Sequence, residues 1–538
     1  SDVCSSDLFQ RFTTSYVTGS HSIKGGFERS QFHLGRLPNR YKDPNQINGG
    51  RSYTVRNMVP ESVTLWAVPF GLWEDARDIA LFAQDQWTIR KLTLNMGVRF
   101  NNFNGTIPTQ DLPAGYFVPE RHTDAVYDSP NFTNLSPRVG AAYDVFGTGR
   151  TAIKTSLGHF TPRNVGPTGN PLLNLAQSTT RTWNDSFFGP GDPRTGNFVP
   201  DCDLRNPVAS GECGPFSDLS FGLPKPPNAA LAPDAKEGFN KDSYNWQASL
   251  VLQHQLRANT ALNVGYYRTW YGNFLVTDNR LVTPADYEQF CITAPTDSRL
   301  PASISGQRIC GFYDIKLEKF GQVDNVITQA LRFGKRSEVY NGVDVTIDSR
   351  FGTGGLLQGG VSFGRTVEDN CVTVDYPQDP KTGRGLNVAG TGPGFCHVSR
   401  PWAAATQGRF VVVYPLPWRM QTSAIYQNIP GMPINTTYLA ANAEIRPSLG
   451  RNLAGRNNVV IDLVPPNTIF EPRLQQLDLR VTRKFRTRGA TFSTNLDLYN
   501  ALNASSVLNQ TTRYGPAWGN VVQVMGGRML KLGAQFDF

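Results

Sequence analysis

Among the side chains able to do covalent or metal chemistry, the cysteines carry the most regular pattern. There are seven. Cys4 lies in an anomalous opening segment, and the other six fall as near neighbours: Cys202 with Cys213, Cys291 with Cys310, and Cys371 with Cys396. An even number suits an oxidising compartment, where thiols pair. Six cysteines admit many connectivities, and local pairing is the reading adopted because each pair lies within one candidate loop. A zinc site is the rival, but no pair has the CxxC spacing that structural zinc uses. The six histidines (His21, His33, His122, His159, His254 and His397) are scattered without HExxH-type spacing. Carboxylates are plentiful, yet no motif singles out the converging pair that a glycoside hydrolase needs. The chemistry-bearing residues therefore point away from an enzyme and identify no cofactor.

The elements that would position those cysteines are short strands. The chain has 538 residues, 51 of them Gly and 37 Pro, and a mean hydropathy of −0.34. No apolar run approaches the roughly 18–20 residues of a membrane helix. Strands of a transmembrane barrel need only about 9–11 residues and alternate in polarity, so low mean hydropathy does not exclude a membrane. The net charge of +9 reads as a mildly basic surface. No Lys/Arg run interleaved with aromatics suggests nucleic acid.

After a turn at Arg90-Lys91, Leu92, Leu94, Met96, Val98 and Phe100 alternate with Thr93, Asn95, Gly97 and Arg99. This is a period of two, with one apolar and one polar face. Before the turn, Ile79, Leu81, Ala83, Trp87 and Ile89 share a face, with Asp85 out of pattern. The same hairpin recurs around Gly147-Thr148-Gly149, Arg257-Ala258-Asn259, Gly352 to Gly355, Pro415-Leu416-Pro417 and Arg486-Thr487-Arg488. Between hairpins the connections are long: 31–76, 104–134, 161–243, 275–336, 369–403, 431–473 and 504–527. Structureless loops of that length would count against a compact soluble domain. In an outer-membrane barrel, short periplasmic turns alternating with long extracellular loops are expected. Each cysteine pair falls in a long loop. The expected fold is all-β, an antiparallel transmembrane barrel, with Lys154, Asp344, Asp478, Arg480, Asp497 and Lys531 on the polar, lumen-facing side.

The last strand runs from Arg528 to Phe538 and ends the sequence on an aromatic residue. Leu530, Leu532, Ala534, Phe536 and Phe538 share its lipid side. Such a strand resembles the sorting signal read by the bacterial barrel-assembly machinery, with Leu530, Leu532, Phe536 and Phe538 as the signal residues. At the other end, residues 1–8 resemble the translation of a sequencing-library adapter and are set aside, Cys4 with them, leaving 9–538 as the barrel.

Three segments carry a family resemblance: Asp78 to Trp87 with Leu92 to Phe100; Leu135 to Asp144; and Asp497 to Asn503 with Tyr514 to Trp518 and the closing strand. In order and spacing these resemble the barrel of TonB-dependent receptors of the Oar-like type. The resemblance implies energised uptake of a large or scarce ligand, such as an oligosaccharide or siderophore, with TonB acting through an N-terminal plug. That plug, its TonB box and a signal peptide are not recognised in this sequence. About 14 to 15 strands are counted, against the 22 of plugged transporters, which reads as an N-terminally truncated barrel. Lipid, the assembly machinery, TonB and an unknown ligand are the implied partners, without nucleic acid. Loop aromatics that could stack on a ligand are Trp183, Phe187, Phe188, Trp402, Tyr438 and Trp518. The alternative is an adhesion, secretion-related or passive outer-membrane barrel without TonB coupling.

Overall fold

In a computed structural model, residues 2–37, 50–162, 169–223, 225, 229–372, 376–377, 395–487 and 489–538 are described. The main sheet has 17 strands, fifteen of them long. They are β1 (Asp2–Thr18), β2 (His21–Leu37), β3 (Leu72–Ile89), β4 (Leu92–Thr106) and β5 (Asn131–Asp144). Then follow β6 (Thr151–Phe160), β7 (Tyr244–Arg257), β8 (Thr260–Gly272), β9 (Ser337–Phe351) and β10 (Gly355–Asp369). The last are β11 (Gln407–Leu416), β12 (Met420–Ile429), β13 (Leu474–Thr487), β14 (Ala490–Tyr499) and β15 (Met529–Asp537). Each pairs antiparallel with the next, as in β1 with β2 and β14 with β15. Two three-residue strands, Glu237–Phe239 and His397–Ser399, flank β5 and β10 near the loops. Fifteen long strands agree with the sequence count. Among the described residues β1 and β15 each pair on one side only, so the sheet is not closed.

The alternation read in the sequence becomes two faces. Leu81, Leu496 and Leu532 are 55%, 42% and 78% exposed, and Leu496 lies opposite Val481 and Leu532 in the ladder. Among the described residues nothing packs over these side chains, which is what a lipid-facing surface requires. On the other face Gln, Ser, Thr and Asn alternate with charges. Glycines there make room for rings: a Cβ at Gly265 would lie 2.7 Å from the Tyr267 ring, so the tyrosine covers backbone that a larger residue would occupy.

Asp85, out of pattern in the sequence, faces the apolar side and lies opposite Met96. His21 holds it, with Nδ1 2.7 Å from Oδ2, and the His21 ring stacks on Trp87 at 5.1 Å. A carboxylate on that face is tolerable when paired and close to the short-turn end. One turn differs from expectation. β11 continues through Pro415 and Leu416, opposite Gln421 and Met420, and the chain reverses at Trp418 and Arg419, both with positive φ. Proline is excluded from strands only where its nitrogen must donate, so near a strand end residue type placed the turn early. Arg488 of the last turn lies outside the described residues. A seventh short turn, between β1 and β2, was not read from the sequence. The backbone of residues 2–8 extends β1 against β2, a pairing open to any extended segment.

Candidate functional site

Among the described residues, the long connections include two bodies with their own disulfide and buried core at one end of the sheet. In the first, the hairpin Arg51–Arg56/Val59–Trp66 takes Ser178–Thr182 as a third strand. Val63, Leu65, Val118, Cys213 and Phe221 form its core. Arg181, fully buried, organises the adjoining loop by donating to four backbone carbonyls: Gly214 at 2.6 Å, Asp203 at 2.7 Å, Val208 at 2.9 Å and Cys213 at 3.4 Å. Burial pushes its pKa down. The Cys202–Cys213 disulfide closes the same loop.

The second body joins three connections far apart in sequence. The hairpin Tyr287–Thr293/Arg308–Ile315, bridged by Cys291–Cys310, packs on the helix Asn442–Leu449 and the hairpin Thr437–Ala441/Asn458–Asp462. Phe290, Phe312, Ile445, Ile461 and Trp518 share this core. Asp314, with no exposed surface, is its polar centre. Arg451 Nη1 donates to it at 2.6 Å, Ala454 N at 2.8 Å and Arg456 Nη2 at 3.4 Å, while Arg451 also reaches Glu288. A second tie comes from Arg299, which pairs with Asp297 and donates to the carbonyl of Trp518 at 2.9 Å. Arg299 and then the backbone hold the Asp297 carboxyl well below the usual range. Burial, then Asp286 and Asp314, pushes the Tyr287 phenol up to about 12.

These bodies account for most of the aromatic candidates. Trp183 and Trp518 are core residues, 4% and 6% exposed, and their indoles donate to Glu212 and to the Asn435 carbonyl. Tyr438 bonds Glu444 and packs on Tyr514. Phe188 lies beneath the Arg194 guanidinium. Phe187 and Trp402 are 57% and 45% exposed, Phe187 edge-on to Phe188 at 5.0 Å and Trp402 beneath the Arg365 guanidinium at 5.2 Å. Sequence reasoning missed Arg181 and the Asp314 cluster, whose partners lie tens of residues or more away with no local signature. The third disulfide, Cys371–Cys396, sits between β10 and β11.

All six expected lumen residues lie on the polar face. Arg480 and Asp497 form an ion pair directly across β13 and β14, and Lys531 is opposite Asp497 in β15. Asp478 accepts from the Asn500 amide at 2.8 Å. Lys154 donates to Gln253 at 2.7 Å. Asp344 lies between Gly265 and Ser362. Arg11, Lys24, Arg99, Arg138 and Lys154 share the β1–β6 wall with Glu28 and Asp78, while Asp344 and Asp348 sit on β9. Among the described residues no group of three His, Cys, Asp or Glu could hold a metal, and no helix is long and apolar enough to cross a membrane.

The outer membrane β-barrel domain family matches residues 11–388, and the chain belongs to that family. Its place is the outer membrane. No curated protein matches the sequence. Among solved structures it is similar to the outer membrane transporter YddB from Escherichia coli, at 10% identity and a TM-score of 0.48, covering 99% of this chain and 54% of that one. The FrpB iron transporter from Neisseria meningitidis gives 10% identity and 0.46, covering 99% and 55%. The ferripyoverdine receptor of Pseudomonas aeruginosa gives 10% and 0.46, covering 99% and 48%. The chain spans about half the length of these structures.

Proposed function

We propose that this chain is the barrel portion of a TonB-dependent receptor, of Oar-like type, that captures a scarce ligand at its loops for energised passage through the lumen. The observation that carries the reading is the two-body loop end above a polar-faced sheet: structured loops suit capture from outside better than a plain pore does. The chemistry of Phe187 and Trp402 suits stacking on flat rings, as in an oligosaccharide or a siderophore. The disulfides would hold the capture surface in an oxidising exterior. Leu530, Leu532, Phe536 and Phe538 would serve as the signal to the barrel-assembly machinery. Residues 1–8 would be foreign to the natural protein.

The test is the source DNA upstream of Phe9, followed by expression of the whole reading frame in strains with and without TonB. A plug with a TonB box, and ligand accumulation that needs TonB, are the expected results. A start codon and signal peptide directly before Phe9 would contradict the reading and favour a passive channel or adhesin.

A further inference from the structure

On the polar face, in the half nearer the short turns, is a hollow of about 700 Å³ whose lining includes Arg11, Arg99, Arg138 and Lys154. Its size lies within the range of small-molecule sites, roughly 300–1,000 Å³. Register explains the space. Arg138 lies opposite Gly97, Lys154 opposite Ala142, and Gly140 opposite Asn95, so small residues leave the floor low while long cationic side chains rise around it.

The cations outnumber their partners. Glu28 accepts from Arg99 at 2.5 Å and pairs with Arg11 at 3.3 Å, and Asp78 is 3.8 Å from Arg99. Asp85 also lines the hollow, but His21 holds it on the other face. Among the described residues no carboxylate pairs with Arg138 or Lys154. Arg138 lies over the Phe160 ring at 4.3 Å, and Lys154 meets only the neutral amide of Gln253. Arg99 and Arg138 are diagonal neighbours across β4 and β5, so their guanidiniums stand on one face within reach of a single anion. A guanidinium offers a rigid fork that matches a carboxylate or phosphate, and an ammonium adds a movable donor.

We infer that this hollow is an anion-binding site in the lumen wall, taking a small soluble polyanion bearing phosphate or carboxylate groups. The site faces away from lipid, and it holds whether or not the loops capture a ligand. Arg138 and Lys154 provide the two free contacts, Arg11 and Arg99 the surrounding field, and Gly97, Gly140 and Ala142 the room.

The experiment is calorimetric titration of the full chain, folded in uncharged maltoside micelles, with inorganic triphosphate and separately with citrate. Circular dichroism checks that every variant keeps the strand signal. Saturable binding is expected, weakened about tenfold by Arg138→Gln and by Lys154→Gln, since each removes one charge-assisted contact. Arg138→Lys should keep most of the affinity, and Ala142→Leu should weaken binding with every charge in place. Arg409→Gln, on the polar face of β11, should change nothing. Doping the micelles with phosphatidylglycerol should leave triphosphate affinity unchanged, and competition would place the anion in lipid and overturn the soluble assignment. Absence of saturable binding, or an equal loss from Arg409→Gln, would overturn the site.

Discussion

Asp314→Ala removes the carboxylate on which the second loop body converges. The wild-type group is wholly buried and receives Arg451, Arg456 and the Ala454 amide. In the variant Arg451, only 19% exposed, keeps Glu288 as its carboxylate, while the Ala454 amide loses its acceptor. Breaking a buried pair from one side costs about 3–5 kcal/mol. The partial exposure of both arginines places the effect at the lower end, about 3 kcal/mol. That corresponds to roughly a hundredfold rise in the open fraction of this body. The loops open without the strands, because their core is their own. Hydrogen exchange in micelles reads this directly. Amides of Tyr287–Thr293, Arg308–Ile315 and Asn458–Asp462 should exchange about a hundredfold faster, while those of β3 to β6 keep their protection. Unchanged loop exchange would refute the clamp, and an equal acceleration in β3 to β6 would refute the separateness of the body.

Cys291→Ser with Cys310→Ser should loosen the same body by about 2–4 kcal/mol, measured as faster protease cleavage within 273–336 at unchanged strand content. Leu496→Arg should destabilise the chain in phospholipid vesicles by about 2–4 kcal/mol, as a charge placed against lipid does, whereas Asn495→Arg on the polar face should cost under about 1 kcal/mol; urea titration distinguishes them. Tyr287 has a raised pKa, so its contribution is complete below the ordinary value of 10.0 and is lost as pH climbs through about 12. Absorbance titration of wild type against Tyr287→Phe should show one phenol ionising near that value.

The sheet was legible because alternation is local. Leu92 to Phe100 declare their face without knowledge of any partner, and Gly147 and Gly149 declare a turn through backbone that only glycine adopts freely. The loops were legible only as lengths and as local cysteine pairs. Phe290, Ile445, Ile461 and Trp518 meet in one core from three separate connections, and no periodicity links residues brought together that way. Arg181 carries no signal in the sequence, because nothing nearby announces the carbonyls it serves. Asp85 broke the pattern until the structure brought His21 beside it across β2 and β3. The aromatics show the same limit: Trp183 and Phe187 are equally plausible ligand contacts by type, and burial alone separates the core residue from the open one.

The most direct test of the account is the facing of one strand in the membrane. Single cysteines placed in turn at positions 494, 495, 496 and 497 of β14, in vesicles with the native disulfides intact, would be reacted with a lipid-soluble and a water-soluble thiol reagent. Positions 494 and 496 should react from the lipid and 495 from water, while 497, only 3% exposed beneath Arg480, should react slowly and from water alone. Uniform reaction with the water-soluble reagent at all four would contradict a membrane-spanning sheet.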